Sequence, residues 1–107
     1  MNLWNYIVLL RPTRIGMLTD GPTPHEQEAV AGHFAYFSGL VADGKMLLAG
    51  RSSGSPEQVF GIGIFRAESP EEAESMMNQD PAVIHGVMTA EVQPFQVALF
   101  SENPHNK

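Results

Sequence analysis

Apolar positions along this chain form strand-like runs separated by two helically spaced series, and their order outlines the fold. Leu3 to Leu10 is almost continuously apolar, with Trp4, Tyr6, Ile7 and Val8 supplying the aromatic and β-branched side chains of a strand covered on both faces. Arg11-Pro12-Thr13-Arg14 breaks that run, and the stretch to Pro24 reads as a loop. Thr23-Pro24-His25-Glu26 then carries the cap hydroxyl, first-turn proline and third-position glutamate of a helix start. The helix is predicted from Pro24 to Asp43, ending at Gly44. Within it Val30, Phe34, Phe37 and Val41 recur at helical spacing as the predicted buried face, which Leu40 widens. Met46 to Ala49 is predicted as a short second strand, Gly50 to Pro56 as a loop and Val59 to Arg66 as the third strand. Ser69-Pro70-Glu71-Glu72 repeats the capping signature and opens a second helix through Met76 and Met77, and Asp80-Pro81 caps one further turn from Ala82 to His85. A last strand is predicted from Met88 to Phe100, with a change of apolar parity at Pro94 that implies a bulge. Ser101 to Lys107 reads as a disordered tail.

The order β-α-β-β-α-β is the ferredoxin-like arrangement, an α+β fold with both helices on one face of a four-stranded antiparallel sheet. Residues 1–100 are expected to form a single domain. The sheet face opposite the helices is expected to be apolar, because Leu3 to Leu10 is apolar at both parities except for Asn5 and the third strand carries Phe60, Ile62 and Ile64 on one side. Leaving roughly 800 Å² of such surface in water forgoes on the order of 20 kcal/mol of gross transfer energy. A homodimer joined sheet to sheet is therefore expected.

Composition narrows the partners. A formal net charge of −6 with six Lys and Arg argues against a phosphate-backbone binder, and no basic, aromatic strand of the RNA-binding type occurs. The chain has no cysteine, which excludes disulfides, thiolate catalysis and Cys-based zinc sites. No signal peptide and no segment long enough to span a bilayer are read, so no membrane partner and a cytoplasmic location are expected.

The candidate chemistry centres on His33, which falls between Leu40 and Phe37 on the predicted buried arc. A buried imidazole needs a partner, and Asp80 is the polar candidate beyond the helix. Asp43 is set aside, because ten residues along one helix is ~15 Å of rise with a rotation of about 80°. Asp80 also has a structural reading as the N-cap before Pro81. A carboxylate beside the imidazole would orient its tautomer and make it a general base or acid. Tyr36, one turn on, reads either as a donor to a substrate oxygen or as a rim residue covering the core. Arg11, Arg14 and Arg51 stand at strand ends or loops where a guanidinium can hold a carboxylate or phenolate, with solvation favoured for Arg14. Gly61 and Gly63 share a strand face and leave backbone open for a ligand or a close neighbour, and they do not form a dinucleotide fingerprint. His25-Glu26 resembles the start of a zinc-protease helix, but Ala29 stands where the second histidine belongs. No metal and no cofactor are expected. His85 reads either as lining the pocket near Asp80 or, with more weight, as an exposed residue in a short turn, and His105 belongs to the tail.

The stretch from His33 to Arg51, with Asp43-Gly44 at the helix end and Leu47-Leu48-Ala49-Gly50 after it, resembles the YCII-related (YciI-like) proteins. Ser69-Pro70-Glu71-Glu72-Ala73, Asp80-Pro81, Gly86-Val87 and Val92-Gln93-Pro94-Phe95 continue that resemblance in order. It implies a dimeric α/β-barrel fold and a His/Asp active site, here His33 and Asp80, with Arg11, Tyr36 and Arg51 as substrate-binding candidates. One branch of the family is a dehydrochlorinase acting on a hydroxylated aromatic ring. The expected function is a cofactor-independent lyase or isomerase moving protons on a small oxygenated substrate, in a pocket between the first helix and the sheet. The alternatives are a non-catalytic ligand-binding or regulatory dimer, and a stress-related oligomerisation domain without a ligand.

Overall fold

Alternation along the first strand decides which side of the sheet receives the helices. In β1 (Tyr6–Pro12), Tyr6, Val8 and Leu10 are buried while Ile7 and Leu9 keep partial exposure. The computed structural model describes residues 3–101. Beyond β1 the chain forms α1 (Gly16–Thr19), α2 (Pro24–Ala42), β2 (Met46–Arg51), a 3₁₀ turn (Pro56–Gln58), β3 (Gly61–Phe65), α3 (Pro70–Asn78), α4 (Pro81–Ile84) and β4 (Met88–Pro94). The strands make one antiparallel sheet in the order β2-β3-β1-β4, the ferredoxin-like topology. The core joins Tyr6, Val8, Leu10, Met46 and Phe65 of the sheet to Phe37 and Leu40 of α2 and Ala73 and Met77 of α3, so both longer helices cover one face.

Several boundaries differ from the sequence reading. β1 begins at Tyr6, because Asn5 spends its side chain on the backbone of Ala67, donating from Nδ2 to the carbonyl at 2.9 Å and accepting from the N–H at 3.1 Å. β3 is shorter than predicted and β2 runs on to Arg51, with its irregularity between Met46 and Leu48. β4 ends at Pro94, which pairs with Tyr6, and only the bond from Phe95 N–H to the Asn5 carbonyl (2.9 Å) carries the edge further. Among the described residues no partner strand remains for residues 95–100, so the expected bulge gives way to the end of the strand. The loop before Pro24 contains α1, whose Met17 packs with Ala29, Ala82 and Val87 in a second, smaller core. A four-residue helix is too short to leave a periodic signal. Ser101 apart, the predicted tail lies outside the described residues, as does His105.

The uncovered face carries Ile7, Leu9, Ile62, Ile64 and Leu48 on β1, β3 and β2, as the registers dictate. On β4 the same face is polar, with Thr89, Glu91 and Gln93, and Gln93 Nε2 donates to Glu91 Oε2 at 2.9 Å. Among the described residues no helix is long and apolar enough to cross a membrane.

Candidate active site

Helix α2 begins on a complete capping box. Thr23 Oγ1 accepts from the Glu26 N–H at 3.1 Å, and Glu26 Oε1 accepts from the Thr23 N–H at 2.9 Å. Arg14 adds a fork, with Nε 2.9 Å from Oε2 and Nη2 2.7 Å from Oε1. These bonds, the Arg14 fork foremost and the Thr23 N–H next, lower the Glu26 carboxyl to about 2. Arg14 is therefore paired rather than merely solvated. The buried side of α2 comprises Glu26, Ala29, Phe37 and Leu40, with His33 and Tyr36 half-buried between them. Phe34 and Val41, predicted to be buried, are 73% and 44% exposed. At 100° per residue they lie just past the edge of an arc centred near His33 and Leu40, so the predicted face was rotated by less than a quarter turn.

The partner of His33 comes from the junction of α3 and α4. The Asp80 N–H donates to the Met77 carbonyl at 3.2 Å as α3 ends, and its extended backbone makes it the N-cap of α4. Its Oδ1 accepts from the Ala82 N–H at 3.0 Å, while Oδ2 lies 2.6 Å from His33 Nδ1. The cap and the pair coexist on one carboxylate. The Asp80 side chain is 1% exposed and that of His33 17%. The imidazole also rests against the Phe37 ring, centroids 4.4 Å apart. With Oδ1 accepting from the Ala82 N–H and Oδ2 against the ring, Nδ1 is the nitrogen that donates, and in the neutral imidazole the lone pair then falls on Nε2. Among the described residues Nε2 has no partner.

The remaining candidates separate. Tyr36 Oη donates to the Met76 carbonyl at 2.7 Å, so its proton is held by backbone, and burial together with the Asp80 charge raises its phenol above the ordinary value. Arg11 alternates with Leu10 and faces away from the helices, its guanidinium 5.7 Å from the centre of the Phe60 ring. The sheet stands between Arg11 and His33, and within one chain the two do not share a site. Arg51 pairs in register with Gly61, itself opposite Leu10, which puts it at the end of β2 on the helix-facing side. It is exposed and has no partner among the described residues. A Cβ at Gly63 would stand 3.0 Å from Met46 Cε and 3.2 Å from Val8 Cγ1, so close packing rather than a ligand explains that glycine.

The space between α2 and the sheet is filled by Phe37, Leu40, Met46 and Phe65, and the two clefts described lie elsewhere. One, of about 260 Å³, lies between α3 and β4 beside Glu74, Asn78 and Glu91. The other, of about 230 Å³, lies between α2 and α4, lined by His25, Glu28, Ala29, Gly32, Pro81 and His85. There the rings of His25 and His85 meet edge to face, 5.4 Å between centroids. Neither cleft is lined by His33 or Asp80. No group of three or more His, Asp or Glu among the described residues is arranged to hold a metal ion. Sequence reasoning missed the Arg14 fork and the Tyr36 bond to Met76, since neither spacing falls within one element.

Comparison with known proteins adds three findings. The model of the YCII-related domain matches residues 7–96. Among solved structures, the chain is similar to the 5-chloro-2-hydroxyhydroquinone dehydrochlorinase of Burkholderia phenoliruptrix AC1100 in complex with 2,5-dihydroxybenzoquinone. The two share 22% identity with a TM-score of 0.57, over 85% of this chain and 93% of that one, a likeness of fold. No curated protein matches the chain.

Proposed function

The chain belongs to the YCII-related domain family, and from that premise we propose that it is a lyase or isomerase that moves a proton on a small oxygenated ring compound. His33 is the base or acid and Asp80 its orienter. The observation that carries this reading is the 2.6 Å contact between His33 Nδ1 and the buried Asp80, which leaves Nε2 without a partner among the described residues on a side chain that keeps 17% exposure. In this reading Nε2 takes a proton from the substrate and the imidazolium is held by the Asp80 carboxylate. The proton then returns to a second position, or remains on the histidine while an anionic leaving group departs. Arg51, a cation on the helix-facing side, is the group suited to an ionised ring oxygen. Arg11 is not used within the same chain.

The substrate class follows the neighbouring enzyme's complex, a planar ring bearing ionisable oxygens. The reading also includes a homodimer, formed over Ile7, Leu9 and Ile62 of the uncovered sheet face. Sedimentation as a monomer at micromolar concentration would remove the dimer from it. The decisive experiment incubates the protein with hydroxylated and chlorinated hydroquinones and follows them by mass spectrometry. Conversion by the wild type and a large loss of it in His33→Ala, with the fold intact, is the expected result, and equal conversion by both refutes the role of His33. A second reading, a non-catalytic binding module, is favoured by the clefts that His33 does not line. Retention of a compound without alteration decides for it.

A further inference from the structure

We infer that Gly32 is the positioning residue that lets α4 bring Asp80 to His33. Gly32 immediately precedes His33 in α2, and a Cβ built on it falls 2.9 Å from Pro81 Cβ and 3.1 Å from Pro81 Cγ. Carbon atoms in contact prefer about 3.5–4.0 Å, so an added methyl group demands a separation of roughly 0.6–1.1 Å. The obstacle is a proline ring, which has no flexible end to swing aside, and it is bonded directly to Asp80. Asp80 and Pro81 move together because Asp80 caps α4 through Oδ1 and its carbonyl accepts from Val83 and Ile84, both at 2.9 Å. A displacement of that size along the contact takes the 2.6 Å His33–Asp80 distance to or beyond the roughly 3.2 Å limit of a good hydrogen bond.

Helical preference alone argues against glycine here, since it is among the poorest residues for a helix interior. The same helix supplies the control. Gly39 has nothing within 4 Å of an equivalent Cβ, so alanine there meets no obstacle. Gly32 is thus explained by the approach of α4, whereas Gly39 is not. The inference concerns the contact and not turnover, so it stands or falls apart from the proposed reaction.

The test is ¹⁵N and ¹H NMR of the His33 ring in the full chain, reading the Nδ1–H resonance and the tautomer. Wild type and Gly39→Ala are expected to show the same Nδ1–H signal, and folded Gly32→Ala to lose it and its fixed tautomer. Retention of the wild-type signal in folded Gly32→Ala overturns the inference. Should Gly32→Ala fail to fold, the double variant Gly32→Ala/Pro81→Gly carries the test, because it deletes both atoms the new methyl group meets. Recovery of the fold with the Nδ1–H signal supports the inference. Recovery without the signal, or no recovery, overturns it.

Discussion

Among the described residues two carboxylate pairs tie α2 to its neighbours, and they are built to opposite rules. At its start, the Arg14 fork meets both oxygens of Glu26, and Oε1 also takes the Thr23 N–H. Both oxygens of that carboxylate are engaged, and the Arg14 side chain is 45% exposed. In mid-helix, Asp80 is spent on a helix cap and one imidazole nitrogen, but the imidazole has a second nitrogen with no partner among the described residues. A pair that saturates its own groups anchors structure. One that ends in an unused lone pair on a partly exposed ring has capacity for chemistry.

That contrast breaks first at His33. Its replacement by Ala is expected to lower kcat by about 10²–10⁴-fold, the usual contribution of a positioned acid or base, measured on whichever compound mass spectrometry shows to be converted. Asp80→Asn sharpens the point. Its amide oxygen still caps α4, but its NH₂ now faces Nδ1 and forces the other tautomer, moving the ring proton to Nε2. A loss of turnover as large as that of His33→Ala, with the fold kept, is expected from kinetics and circular dichroism. Asp80→Ala removes the cap as well as the partner of His33. Its cost combines a cap of about 1 kcal/mol with a charged hydrogen bond of about 1.5–3 kcal/mol, so urea unfolding should show a loss of roughly 2.5–4 kcal/mol. A loss well below 1 kcal/mol would mean that Asp80 is not buried in both contacts at once.

How much of this was legible depended on whether the signal lay within one element. The β-α-β-β-α-β order, the Thr23 and Ser69 caps and the Asp80 cap all rest on local chemistry, and the structure has them. The family resemblance is matched over residues 7–96. His33 and Asp80 were paired because a buried imidazole needs an acceptor, and they do meet. What failed depended on the third dimension. Phe34 and Val41 fit the apolar spacing as well as Phe37 does, but α4 packs beside Gly32 rather than Phe34, and the arc turns toward it. Val97 and Leu99 alternate as a strand should, yet the described residues before Asn5 form no strand for them to pair with. Arg11 and Arg51 look equivalent as strand-end cations, and only the register places them on opposite faces of the sheet.

The smallest effect belongs to the saturated pair, and its sign is fixed by linkage. The Glu26 carboxyl sits at about 2 in the folded chain, held down first by Arg14 and then by the Thr23 N–H, against an ordinary value of 4.5. A folded value below the unfolded one means that the unfolded chain binds the proton more readily, so stability from this group is complete above about pH 4.5 and drains away as the pH falls toward 2. Glu26→Gln keeps an oxygen for the Thr23 N–H but cannot ionise. The stability gap between wild type and Glu26→Gln, read from urea midpoints, is therefore expected to be constant near neutrality and to close between pH 4.5 and about 2. Added salt should narrow it at neutral pH, because nearly half of the Arg14 side chain is open to solvent. A gap that persists unchanged to pH 2 would mean that Arg14 does not hold this carboxylate in solution, and α2 would then start on the Thr23 cap alone. His33 would in that case be carried by a helix held through its core packing and the Asp80 contact without a charged anchor at its start, and the two pairs would no longer divide the work between support and chemistry.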